Sequence, residues 1–167
     1  MKKPQNFHGK PVMTTTRTTF EDALREHGRI VYTNVGVSML PLLREHRDIM
    51  VIDRCDPAAL KKYDVVLFIR PHTQGRGHYV LHRILRVDED SFWIMGDNCL
   101  TGETVAKENV IGLLTAVMRG GRTIAVTDPG YRLYVRLWCA PYKLRIFITR
   151  GKNFLRRCVH KLRRPGR

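Results

Sequence analysis

Between residues 30 and 126 the chain is cut into seven short apolar runs, and no other feature limits its fold as tightly. The runs cover 30–37, 49–52, 64–69, 79–87, 91–95, 110–118 and 123–126, are rich in Val, Ile, Leu and aromatic residues, and are separated by turn residues. Runs this short between turn signals read as strands, and seven of them in roughly 100 residues predict a mainly β domain. Ahead of them, Thr19 and Asp22 together with Phe20, Ala23 and Leu24 predict a short capped helix that ends at Gly28. Residues 1–17 are polar and punctuated by Pro4, Gly9 and Pro11, which reads as a flexible lead-in. The β domain is therefore placed at 18–128.

The remaining stretch, 129–167, has a different texture. After the turn signal Asp128-Pro129-Gly130, the residues Leu144, Phe147, Ile148, Gly151, Leu155, Cys158 and Leu162 recur largely at three- or four-residue steps with Lys and Arg between them. This predicts a basic amphipathic helical extension, preceded by a shorter helix ending near Pro141. Residues 131–167 hold twelve Lys or Arg and no Asp or Glu, so of the net charge of +15 only +3 is left for residues 1–130. The basicity concerns a partner of the extension, not the β domain.

Cys55, Cys99, Cys139 and Cys158 are far apart and form no C-x-x-C pair, which argues against a zinc knuckle and suits a reducing compartment. No window approaches the roughly 20 apolar residues of a membrane-spanning helix, and the first residues lack the apolar core of a signal peptide. The expected location is the cytoplasm, including a peripheral position at the inner face of the membrane.

One residue interrupts this pattern: Ser38, within VGVSMLPLL (35–43), is a lone hydroxyl in an apolar run. Such a hydroxyl needs a hydrogen-bond partner or a function. A serine nucleophile requires a base, a group that orients the base, and donors for the oxyanion, brought together in space. His82 lies inside the apolar run YVLHRIL, on the same strand face as Val80 and Ile84 by the period-two rule. Asp97 follows the run SFWIM in a Gly-Asp-Asn turn, and Glu103 lies six residues further on. Taken singly these are a turn hydroxyl, a core histidine and a common turn sequence.

In order and context, however, G-V-S-M-L-P (36–41), R-D (47–48), K-K-Y-D-V-V-L-F (61–68), H-R-I (82–84), G-D-N (96–98) and V-I-G (110–112) resemble the signal peptidase I clan, which includes the self-cleaving LexA-type repressors. The resemblance spans about 32–117, half of the chain, and implies a LexA/signal-peptidase-like β fold. The clan uses either a Ser/Lys dyad or, in archaeal, endoplasmic-reticulum and SipW-like enzymes, Ser/His/Asp. No lysine occurs between Tyr63 and Ala106. The resemblance therefore implies Ser38 as nucleophile, His82 as general base and acid, and Asp97 or Glu103 as the orienting carboxylate. Asp97 matches the motif in residue type, whereas Glu103 needs a longer reach, and the choice stays open.

Two departures accompany it. Gly36 stands where many relatives carry a hydroxyl residue thought to help the oxyanion, leaving the Ser38 N–H to serve, and loss of one such donor costs on the order of 10²–10³ in rate in other serine proteases. Arg47 and Tyr63 replace the usual glycines before two aspartates. The clan further implies a groove in which a peptide pairs with 33–37 on one side and 79–81 on the other, with Gly36, Val37, Met39, Pro41, Tyr79 and Leu81 around the substrate.

No cofactor is implied. A zinc site at His72, His78 and His82 is not expected, because the Gly-rich loop 74–77 separates the first two and no carboxylate shares the spacing. The basic extension admits three readings: it lies on an anionic membrane surface, it packs its apolar face on the β domain, or, least favoured, it binds nucleic acid. Besides a leader- or signal-removing peptidase, two other classes remain: a LexA-like, nucleic-acid-linked regulator that cleaves itself, and a non-catalytic peptide-binding module.

Overall fold

Every strand of the β domain is antiparallel to its neighbours, so short connections suffice and no crossover helix is needed. The structure, a computed structural model, describes residues 19–71 and 77–162. The lead-in 1–17, His72 and most of the loop 74–77 lie outside the described residues. In chain order the elements are α1 (Phe20–His27), β1 (Arg29–Thr33), β2 (Ile49–Asp53), β3 (Val65–Arg70), β4 (His78–Val87), β5 (Ser91–Met95), β6 (Glu103–Ala106), β7 (Val110–Arg119), β8 (Arg122–Ala125), α2 (Pro129–Tyr134), a π-helical turn (Val135–Cys139) and α3 (Tyr142–Leu162). The architecture is mainly β, with the short N-terminal helix and the C-terminal helical extension expected from the sequence.

The sheet order is β1-β2-β7-β3-β4-β5-β6, with β8 paired to β7. Strand β3 is buried on both faces, as its continuous VVLFI run requires. Val65 and Leu67 point into one core with Leu24, Met39, Leu43, Ile52 and Leu81. Val66 and Phe68 point into the other with Ile84, Phe92, Ile94 and Val105. Helix α1 closes the first core with Leu24; Thr19 caps it by accepting from the Asp22 N–H at 3.2 Å, and Gly28 ends it at φ 69°.

Three expectations are corrected. The first strand ends at Thr33 rather than Val37, because Gly36 at φ 95° and the Asn34 side chain, which donates to the Gly36 carbonyl at 3.1 Å, turn the chain. Strand β6 had no signal as a separate run: it is four residues long and buries one side chain, Val105. Of the groove segment 33–37, only Thr33 is strand.

Tyr63 stands in the left-handed region at φ 78°, the conformation a glycine favours. Its turn is held by the Tyr63 N–H donating to the Ile84 carbonyl at 2.8 Å and by the Asp64 carboxylate accepting from the Lys61 N–H at 2.9 Å. Among the described residues no helix is long and apolar enough to cross a membrane.

Candidate active site

Ser38 lies in the loop between β1 and β2, pinned from beneath and from the side. Met39 and Leu43 sink into the core. Glu45 accepts from the Gly36 N–H at 2.8 Å, and the Asn98 N–H donates to the Ser38 carbonyl at 2.8 Å. The Asn98 side chain also donates to the Val37 carbonyl at 3.2 Å. Ser38 is half-buried, and among the described residues neither its N–H nor its hydroxyl has a hydrogen-bond partner. The hydroxyl and the adjacent donor are thus both uncommitted on an otherwise fixed loop.

His82 projects from β4 opposite Val66 of β3. Its ring is buried, and the point where Gly96 would carry a Cβ lies 3.0 Å from His82 Nε2, 2.6 Å from the Ser38 carbonyl oxygen and 2.7 Å from Cys99 Sγ. Gly96 is glycine because no side chain fits between the serine loop and the imidazole. On the other side of the ring, Nδ1 stands 3.4 Å from Glu103 Oε1 without the alignment of a hydrogen bond, and it is a buried atom with no other partner. Burial lowers the His82 pKa below its ordinary value; Arg70 lowers it further, while Glu103 and Asp97 oppose the shift. The imidazole is therefore neutral at neutral pH and able to accept a proton at Nε2.

The two candidate carboxylates are engaged differently. Glu103, at the start of β6, accepts from Arg70 Nε at 2.8 Å and from Nη2, and faces His82 with the same carboxylate. Asp97 is buried and committed elsewhere. It accepts from Arg83 Nε at 2.7 Å and Nη2 at 2.6 Å, from the Tyr134 hydroxyl at 2.8 Å and from the Cys139 thiol at 3.7 Å. Fully buried Arg83 completes its shell by donating to the Tyr63 carbonyl at 2.8 Å and the Tyr131 hydroxyl at 3.0 Å. Burial pushes the Tyr131 and Tyr134 hydroxyls up, and the Cys139 thiol up to about 12, so all three stay neutral around this ion pair. The structure thus brings Glu103, not Asp97, to the imidazole nitrogen away from Ser38.

The expected substrate residues divide. Val37, Pro41 and Tyr79 are exposed and Gly36 is half-exposed, whereas Met39 and Leu81 are core residues that support the surface from beneath. Strand β5 pairs with β4 only from Arg83 onward, so no strand covers that edge of β4 over 80–82 among the described residues. Tyr32, Val35, Val37 and Tyr79 give this region an exposed apolar rim. Phe20 of α1 bridges its two sides, with ring centroids 4.9 Å from Tyr32 and 4.7 Å from Tyr79.

Sequence reasoning missed Arg70, Arg83, Tyr131, Tyr134 and Trp138, whose indole donates to the Asp97 carbonyl at 3.3 Å. For Arg83 a signal existed, since an arginine amid YVLHRIL must be buried and so requires an acid. Among the described residues no group of three or more His, Cys, Asp or Glu is arranged to hold a metal ion. No protein-family model, curated protein or solved structure matches the chain.

Proposed function

We propose that the protein is a serine endopeptidase of the signal-peptidase type that removes a leader or signal segment from a peptide or protein, with Ser38 as nucleophile, His82 as general base and Glu103 as its orienting acid. One observation carries the reading: a buried imidazole has one nitrogen turned to the Ser38 loop and the other to a carboxylate. The Ser38 hydroxyl proton passes to His82 Nε2 as Oγ bonds to the scissile carbonyl carbon. The Glu103 carboxylate stabilises the imidazolium so formed. The Ser38 N–H, uncommitted in the fold, receives the oxyanion. His82 returns the proton to the leaving amine, and a water molecule, deprotonated by the same nitrogen, releases the acyl group and regenerates Ser38.

The uncovered edge of β4 beside His82 supports binding of substrate as an added strand, with the apolar rim taking side chains. Glu103 rather than Asp97 is taken as the orienting acid, since Asp97 is saturated by Arg83 and Tyr134.

The test is digestion of a pooled peptide library by wild-type and Ser38→Ala protein, read by mass spectrometry, with a fluorophosphonate probe to report serine reactivity. Cleavage and labelling by wild type that vanish in Ser38→Ala are expected. Equal cleavage by both proteins overturns the assignment, and absence of both cleavage and labelling replaces it with a peptide-binding module.

A further inference from the structure

Helix α3 carries its apolar stripe on the side turned away from the protein. The spacing places Leu144, Phe147, Gly151 and Phe154 along one face, and all four are exposed, Phe147 at 77% and Phe154 at 66%. The opposite face, with Tyr142, Arg145, Ile146 and Thr149, is the less exposed one. It meets the β domain at Tyr142, whose ring lies 5.9 Å from that of Trp93, and within the extension Arg145 lies 5.1 Å from the Trp138 ring. The preceding turns repeat the pattern: Tyr131, Tyr134 and Cys139 face the Asp97–Arg83 pair, while Leu133 and Leu137 point outward, Leu137 at 70% exposure. A helix that merely covers the β domain would bury such a stripe, so that expectation for the extension is corrected here.

Cations border the outward stripe on both sides, Lys143 and Arg150 on one and Lys152 on the other. We infer that the extension lies in the interface of an anionic phospholipid bilayer, with Leu133, Leu137, Leu144, Phe147 and Phe154 among the acyl chains and the lysines and arginines at the headgroups. Charge selects this occupant. Residues 131–167 carry twelve cations and no acid, so a second copy docked on the stripe would set like charges against each other. A nucleic acid would take the cations and leave the phenylalanines and leucines in water. A bilayer with anionic headgroups satisfies both.

Docking would also tether the β domain, and with it the Ser38 loop, to the membrane surface. The extension is bonded to the turn that clamps the Ser38 loop: Tyr134 and Trp138 donate to Asp97, Arg150 donates to the Leu100 carbonyl at 3.3 Å, and Asn98 holds Ser38.

The experiment is flotation of the full chain with phosphatidylcholine vesicles, with and without phosphatidylglycerol, at roughly 0.1 M and 0.5 M salt. Phe147→Glu and Leu137→Glu are compared with wild type, their folds checked by thermal unfolding. Wild type should float with the anionic vesicles, less so at high salt, and each variant should bind about tenfold more weakly or worse. Equal flotation of the variants overturns insertion of the stripe, leaving adsorption by charge alone. If wild type does not float, the inference fails; self-association lost in Phe147→Glu would then assign the stripe to a second copy, and salt-sensitive duplex binding to nucleic acid. Vesicle binding is read without any peptidase assay, so it stands or falls apart from the proposed activity.

Discussion

Replacing Asp97 by Asn should unfold the protein more than it disables the site, while replacing Glu103 by Gln should do the reverse. Arg83 has no exposed surface, and two of its four hydrogen bonds go to the Asp97 carboxylate. Asp97→Asn leaves that guanidinium buried without a counter-charge, and breaking a buried pair from one side costs about 3–5 kcal/mol. At about 2–4 °C per kcal/mol for a chain of this size, Tm should fall by roughly 6–20 °C. Glu103 and Arg70 are both partly exposed, so loss of that pair costs about 0–1 kcal/mol and moves Tm by no more than about 4 °C.

Activity separates them in the opposite sense. Glu103→Gln removes the only carboxylate placed at His82 Nδ1 among the described residues, so the imidazolium formed during attack loses its stabilising charge. A loss approaching the order of 10⁴ in kcat is the upper bound set by other serine peptidases. Thermal unfolding by circular dichroism and single-turnover cleavage of a substrate from the peptide library measure the two quantities on the same samples. If Asp97→Asn melts with wild type yet is inactive, and Glu103→Gln turns over normally, the roles are exchanged and the placement of the two acids is refuted.

Two further expectations test the surroundings of His82. Arg70 lowers the His82 pKa and competes for Glu103, so Arg70→Met should move the acid limb of the pH–rate profile to higher pH, because a histidine that holds its proton more tightly becomes a free base only at higher pH; an acid limb that stays in place or moves down would count against it. Gly96→Ala sets a Cβ 2.6 Å from the Ser38 carbonyl and 3.0 Å from His82 Nε2, and the forced shift should cost about 10²-fold in kcat, since an ångström of misplacement carries roughly that penalty. Wild-type turnover in Gly96→Ala would mean that the loop and the imidazole do not work together.

The strands and the helix cap were legible because each depends on local chemistry. Alternation, β-branching and turn residues mark β2, β3, β4, β5 and β7, and Thr19 and Gly28 bound α1 as read. What failed depends on contacts remote in sequence. Val35 and Val37 continue the texture of β1, yet the chain leaves the sheet there because Asn34 and Glu45 bond to Gly36. The extension was legible as an amphipathic helix but not in its orientation, because periodicity defines a stripe without saying which way it faces. Burial of Tyr131, Tyr134 and Cys139 around Asp97 fixes that.

Residue identity favoured Asp97 as the partner of His82, whereas sheet geometry sets Glu103 beside the ring. Adjacent residues on a strand point to opposite faces, so His82 and Arg83 cannot share one acid across the sheet. Val66 lies opposite His82, and two residues along each strand the same face carries Phe68, Arg70 and Ile84. Ile84 lies opposite Ile94, and Ile94 opposite Glu103, so Glu103 and Arg70 both arrive on the face of His82. Arg83 points to the other face, where the turn after Met95 delivers Asp97 and the extension delivers Tyr131 and Tyr134. A fully buried guanidinium needs its carboxylate close, charged and desolvated, whereas the acid proposed to orient His82 has to reach Nδ1 from the neighbouring sheet edge. The shorter acid, fixed in the turn, suits the first task, and the longer one, on a sheet edge, suits the second.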